Sequence, residues 1–203
     1  MGLSKTTELD AVNIMLSNIG ESPVNSLTNN PNADVAMAHN ILKEVSREVQ
    51  SAGWHFNTDL EVPLVPDTIT KHISITTNTA RVDLEGVNVK TDLDIVIRGE
   101  KLYDRKNRTY EFTETLKGTV VYLMDYTDLP EVARRFIAIR AARIYNDRLL
   151  GAEKHHMFNL RDEQQSWMAL REYEMDTADY SIFDNYDVYR VVDRDDVVRR
   201  ITT

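Results

Sequence analysis

Side chains able to do chemistry are scattered in this chain, and their spacing argues against each reaction they could serve. His155 and His156 are the only adjacent histidines, and with Glu153 or Glu163 they could be drawn as a metal site. Neighbouring residues on a helix diverge by about 100 degrees, whereas helical metal ligands stand three or four apart. The pair therefore reads as a solvated helix start. Asp193, Asp195 and Asp196, interleaved with Arg194, Arg199 and Arg200, suggest either paired carboxylates for sugar hydrolysis or a cation site. A glycosidase needs two carboxyl groups about 5–10 Å apart on a rigid cleft, and a calcium loop needs spaced acids around a central glycine. The terminal run fits neither and reads as a charged docking tail.

Other chemistries lack their signatures. The chain contains no GxxxxGK[ST], no GxGxxG and no GxSxG, so nucleotide-dependent, redox and acyl-transfer reactions have no motif to stand on. Zero cysteines removes disulfides, thiolate nucleophiles and cysteine-held zinc or iron–sulfur sites together. No catalytic residue, cofactor or metal is expected. One cluster of charge remains: Arg134, Arg135, Arg140, Arg143 and Arg148 lie along a single helix that is otherwise apolar. They could bind phosphate, but arginines in such a setting commonly snorkel to the helix edge or pair with acids of a neighbour. Pairing across a subunit boundary is the expectation.

The elements that carry these residues follow from periodicity. In NADVAMAHNILKEVSREVQSAGWHFN, residues 32–57, Ala38, Leu42, Val45, Val49 and Ala52 recur at three- and four-residue steps, which lays one apolar stripe along a long helix. Asn32 is positioned to cap it, Asp34 puts acid in its first turn and Gly53 ends it. Trp54 and Phe56 follow at the spacing of two expected of a strand. Before this helix, Leu9, Val12, Met15, Leu16 and Ile19 define a shorter one, capped by Thr6 or Thr7 and stopped by Gly20. Asp128-Leu129-Pro130-Glu131 opens a third helix running to Leu150, with Gly151 as its stop. That helix is apolar on nearly every face, so it is either central in its bundle or sandwiched between subunits. A fourth spans about Glu153 to Asp176, with Met157, Leu160, Trp167, Leu170 and Tyr173 as anchors.

Between the second and third helices the pattern turns to strands: HISITT, RVDLEGVNV, DIVIRG and GTVVYLMDY, separated by Asn, Asp and Gly. Gly99-Glu100 and Lys106-Asn107 read as hairpin turns, and Pro63 and Pro66 place their strand at an edge. After Tyr180 helical periodicity is lost, and IFDNYDVYRVVDRDDVVRRITT has no local partner. Such a tail either wraps its own domain or binds a neighbour in extended form. The fold class is α+β: a bundle of about four helices with an inserted antiparallel β-rich domain and an extended C-terminal arm. The expected domains are 1–54 and 128–180 as two parts of one helical domain, 55–127 as the insert and 181–203 as the arm.

At 203 residues and 42% hydrophobic content the chain can bury one good core, or a core and a smaller satellite. No stretch reaches the roughly 18 apolar residues of a bilayer span, and MGLSKTTELD lacks the apolar run of a signal peptide, so use in a cytoplasm or in a particle assembled there is expected. A net charge of −9 opposes tight nucleic-acid binding but suits the wall of a conduit through which DNA slides.

The ordered set LDAVNIMLSNIGESPVNSL, NADVAMAHNILKEVSREVQSAGWHFN, LYDRKNRTYEF, LPEVARRFIAIRAARIYNDRLLG and YEMDTADYS closely resembles the tail tubular protein A family, the head-to-tail adaptors of short-tailed podophages. The likeness covers about residues 8–180. It implies a structural virion protein of the tail, assembled in the host cytoplasm as a homo-oligomeric ring of twelve copies. Such a ring sits between the portal protein and the tail nozzle, tail tubular protein B, seats tail fibres, and lets DNA pass at ejection without specific binding and without contact with a membrane. On that reading the arm, with Tyr186, Tyr189, Arg190, Val191, Arg194, Val197, Arg199 and Arg200, docks on the portal. The arginine helix, with Arg134, Arg135, Arg140, Arg143 and Arg148, lies between subunits. The competing readings are a tail-associated carbohydrate hydrolase that aids infection and a free cytoplasmic regulator that binds another protein through its tail.

Overall fold

The computed structural model describes residues 4–28, 32–84, 93–149, 151 and 153–177. It is an α+β fold of four helices and five short strands, in the order α1 (Glu8–Asn18), α2 (Ala33–Ser51), β1 (Thr58–Leu64), β2 (Thr79–Leu84), β3 (Ile95–Arg98), β4 (Lys101–Asp104), β5 (Leu116–Tyr122), α3 (Glu131–Leu149) and α4 (Glu153–Thr177).

The helices start where their caps say they should. Thr7, rather than Thr6, caps α1: its hydroxyl accepts from the Asp10 N–H at 3.2 Å while the Asp10 carboxylate accepts from the Thr7 N–H at 2.9 Å. The Thr7 hydroxyl, 2.7 Å from the same carboxylate, and then the Thr7 N–H hold the Asp10 carboxyl below its ordinary pKa. Thr6 is used elsewhere, donating through its N–H and its hydroxyl to Glu131 and so tying the start of α1 to the first turn of α3. The Asn32 side chain accepts from the Asp34 N–H at 2.8 Å and opens α2. Gly53, at φ +79°, closes it in the left-handed conformation that glycine tolerates.

One core fills the space between the helices. Val12, Met15 and Leu16 of α1 meet Val35, Ala38, Leu42 and Val45 of α2 around a nearly fully buried face of α3, formed by Ala133, Phe136, Ile137, Ala141 and Tyr145. Because α3 packs against α1, α2 and α4, its all-round apolar character is satisfied inside one chain. Ala52, expected on the α2 stripe, is exposed, since it sits at the C-cap where the helix turns away.

Two expectations need correcting here. Trp54 and Phe56 do not open a strand: residues 55–57 form a single 3-10 turn. Asn57 enforces it, accepting from the Trp54 N–H at 2.8 Å and donating to the Gln50 carbonyl at 2.9 Å and the Tyr122 carbonyl at 2.7 Å. The two rings nevertheless lie near parallel, 6.3 Å apart. On α4, Met157 and Leu160 are exposed, and the buried face is Glu163, Ser166 and Leu170. The helix is rotated away from its most apolar stripe because Glu163 is drawn inward by arginines of α3.

The β segment forms an antiparallel sheet in the order β1-β5-β2, with β3 and β4 a separate hairpin. As expected, β1 carries Pro63 at an edge, where a missing N–H is tolerated. Gly99-Glu100 make the two-residue turn of the hairpin, Arg98 pairing with Lys101 and Gly99 at φ +63°. The Lys106-Asn107 turn is a longer loop organised by Asp104, whose carboxylate accepts from the N–H groups of Lys106 at 2.9 Å and Asn107 at 3.2 Å. HISITT is not a continuous strand; His72 and Ser74 make isolated bridges to Glu111 and Lys101. Gly118 lies opposite Leu84, where a Cβ would come within 2.7 Å of the Asp83 carbonyl oxygen. A second small core, with Leu64, Ile73, Val82, Leu102, Phe112 and Val120, sits under these strands.

Sheet and helices are joined by polar contacts at the end of α2. Gln50, 1% exposed, donates to the Met124 carbonyl at 3.1 Å and accepts from the Met124 N–H at 2.7 Å.

Candidate assembly surfaces

The arginine helix is an internal clasp before it is anything else. Arg134 is buried, with its guanidinium spread over three backbone carbonyls, those of Leu129 at 2.8 Å, Thr6 at 2.9 Å and Thr127. It locks the chain's approach to α3 to the start of α1. The Tyr126 hydroxyl donates to the Arg134 carbonyl at 2.9 Å, and burial pushes that phenol well above its ordinary pKa. Arg140 reaches Glu163 at 2.8 Å and Glu48 at 2.6 Å. Arg143 donates through Nε to the same Glu163 carboxylate and through Nη1 to Asp147 at 3.1 Å. Arg148 grips Glu44 with both terminal nitrogens, at 3.0 and 2.9 Å.

Pairing leaves its mark on the titrations. The Glu163 carboxylate stabilises the charged form of Arg143 and raises it further, as Glu44 does for Arg148. The hydrogen bonds and charge of Arg148 in turn hold the Glu44 carboxyl low. Glu131 is pushed up by burial, but hydrogen bonds from Thr6 and the charges of Arg134 and Arg135 outweigh this and leave it low. Thus the ion pairing expected across a subunit boundary is already made within one chain for Arg140, Arg143 and Arg148. Arg135 is exposed, and among the described residues no hydrogen bond or ion pair engages it.

Glu163, drawn from the sequence only as a metal partner for the histidine pair, is instead 7% exposed and shared by two arginines. A usable signal did exist: Arg140 and Arg143, one turn apart on an apolar helix, require a buried acid opposite them. His155 and His156 fall in the first turn of α4, where nothing of their side chains is described; Tyr186, Tyr189, Arg190, Val191, Arg194, Val197, Arg199 and Arg200 of the arm and the acids at 193, 195 and 196 lie outside the described residues. Among the described residues no group of three or more His, Asp or Glu is placed to hold a metal, and no helix is long and apolar enough to cross a membrane.

Two apolar surfaces stay open. Along the outside of α4, Met157, Met168 and Met175 share one stripe, flanked by Phe158, with exposures of 69%, 69%, 59% and 74%. Between α2, α3 and α4 lies a groove of about 370 Å³, lined by Val49, Trp54, Phe136, Leu160, Gln164 and Trp167. Its floor is an aromatic cluster, Trp167 standing edge-on to Trp54 at 5.4 Å and tilted against Phe136 at 5.2 Å. The groove continues past Gly53 and Arg171 to Met175 near the end of α4.

Open apolar faces suit a component of a larger assembly, and comparison with known proteins identifies which. The family model described as tail tubular protein matches residues 9–180. The chain belongs to the tail tubular protein family. The matched stretch takes in all four helices and both parts of the sheet. The chain is also 31% identical over 168 residues to the tail tubular protein A of Klebsiella phage KP34, across 82% of this chain and 86% of that relative. Membership makes it a structural component of a phage tail within the virion. The α3–α4 clasp and the sheet are therefore parts of a tail-building module.

Proposed function

We propose that this tail protein is the head-to-tail adaptor of its virion: copies close into a ring, twelve in number by family resemblance, between the portal protein and the tail nozzle. The observation that carries the reading is the set of exposed apolar side chains on α4, Met157, Phe158, Met168 and Met175, which stand in water on a single chain and gain by being covered. A closed ring covers such a stripe with a different surface of the next copy, the heterologous contact that cyclic symmetry requires. Arg135, exposed and without an acid hydrogen-bonded to it among the described residues, is the α3 arginine best placed to meet a neighbour's carboxylate. Arg134, Arg140, Arg143 and Arg148 serve that contact by fixing the helices that present it.

On this reading residues 1–54 and 128–180 form the helical domain that builds the ring wall. Residues 55–127 form the insert facing the nozzle and tail fibres, a division that the two separate hydrophobic clusters support. The arm, from Tyr186 to Ile201, reaches the portal. A charge of −9 per copy keeps DNA from sticking to the conduit during ejection. The ring assembles in the host cytoplasm, with no membrane involved.

The test is deletion of residues 186–203. The shortened protein should retain its far-UV circular dichroism and its thermal transition while losing capture by immobilised portal rings. Capture equal to that of the full chain would show that the arm is not the portal contact.

A further inference from the structure

The groove beside α4 has an occupant within reach. Its two connected parts share Ala52, Trp54 and Trp167 and run from Met175 back to Leu160, a span of about 22 Å at the helical rise of ~1.5 Å per residue. The helix ends at Thr177, so the following chain leaves from the mouth of the groove. In the next residues, Asp179-Tyr180-Ser181-Ile182-Phe183-Asp184-Asn185, Tyr180 and Ile182 stand two apart with Asp179 before them and Ser181 between, and the segment carries no cation. Seven residues in extended form cover about 23 Å at ~3.3 Å each, the length of the groove.

We propose that residues 179–185 of the same chain fold back along α4 and seat Tyr180 and Ile182, which share one face of an extended chain, over the aromatic floor made by Trp54, Phe136 and Trp167. The match has three parts. The floor offers an edge-and-face cluster of rings to which further aromatics add favourably. The rim offers Arg171, exposed and 6.0 Å from the Trp167 ring at the mouth of the groove, as a partner for Asp179. The tether is so short that the local concentration of the segment is millimolar, which favours its own groove over that of another molecule. The contact goes beyond the adaptor reading and holds whether or not a portal is bound. It frees the chain from Tyr186 onward at the Leu160 end of α4 rather than at its C-terminus.

A chain without cysteines allows a direct test in the full-length protein. Gln164→Cys on the groove wall is combined with Ile182→Cys, and Gln164→Cys with Thr202→Cys serves as the control; each is oxidised at micromolar concentration after circular dichroism confirms the fold. The proposal expects both thiols of the first pair to be consumed at monomer mass on a non-reducing gel, at a rate about tenfold or more above the control, as a tethered reaction should be. In the second readout, Ile182→Lys should shift the emission of the two tryptophans to the red by exposing Trp167. Disulfide-linked dimers would overturn the proposal in favour of a groove filled by a second copy. Free thiols, or equal rates in both pairs, would show that the segment does not seat there.

Discussion

Arg140 of α3 and Glu163 of α4 meet at 2.8 Å, and the carboxylate is almost sealed from solvent. Glu163 also receives Arg143, so one acid on α4 neutralises two cations on α3. A carboxylate there is costly to bury alone, and the two guanidinium groups are costly to leave without it. The pairing fixes how α4 is rotated on α3, and with it which residues of α4 point outward.

Arg140 keeps Glu48 and Arg143 keeps Asp147 when Glu163 is removed, so Glu163→Ala should cost about 1–3 kcal/mol of stability, the range for lost charge-assisted hydrogen bonds, lowering the thermal midpoint by roughly 5 °C in a chain of this size. Glu163→Gln keeps one acceptor and should lose less. Calorimetry on both variants checks the order. Equal, small losses would mean that water enters the site and screens the pair.

Gln50 joins the helices to the sheet by exchanging two hydrogen bonds with Met124. Gln50→Ala leaves the Met124 N–H and carbonyl without that partner and should cost about 2–3 kcal/mol. Hydrogen exchange should show the loss at both Met124 and the end of α2. A change confined to α2 would mean that the sheet is held by other contacts.

The β3–β4 hairpin carries a pH signature. Burial raises the Asp104 carboxyl, but hydrogen bonds from the Asn107 side chain and from the backbone N–H groups of Asn107, Asp94 and Lys106 outweigh it and leave the folded pKa below the ordinary 3.8. A lowered folded pKa means that the group's stabilisation is complete above about pH 4 and is lost as pH falls through the folded value. Asp104→Asn should thus be less stable than the parent at pH 7, and the difference should narrow below pH 4 in denaturant melts. A gap independent of pH would assign the effect to shape rather than charge.

The helical elements were legible in the sequence because caps and apolar spacing agreed. Thr7, Asn32 and Gly53 do what their types suggest, and the all-round apolar α3 is the centre of the bundle. What was not legible depended on contacts distant in sequence. Asn57 turns Trp54 and Phe56 into a 3-10 corner by bonding to Tyr122, 65 positions on. Glu163 rotates α4 because of arginines 20 and 23 positions earlier. Local periodicity cannot encode either. The arginine cluster was visible as unusual, yet its partners inside the chain emerged only once α2 and α4 were placed beside it.

The outward stripe of α4 links the fold to assembly. Native mass spectrometry of the purified full-length protein, alone and mixed with its portal, measures that link most directly, with Met168→Glu as the matched variant. A closed multimer of the parent chain on the portal, lost in the variant while its monomer stays folded, is the predicted result. A parent chain that remains a monomer at every concentration and shows no portal-bound species would contradict the account.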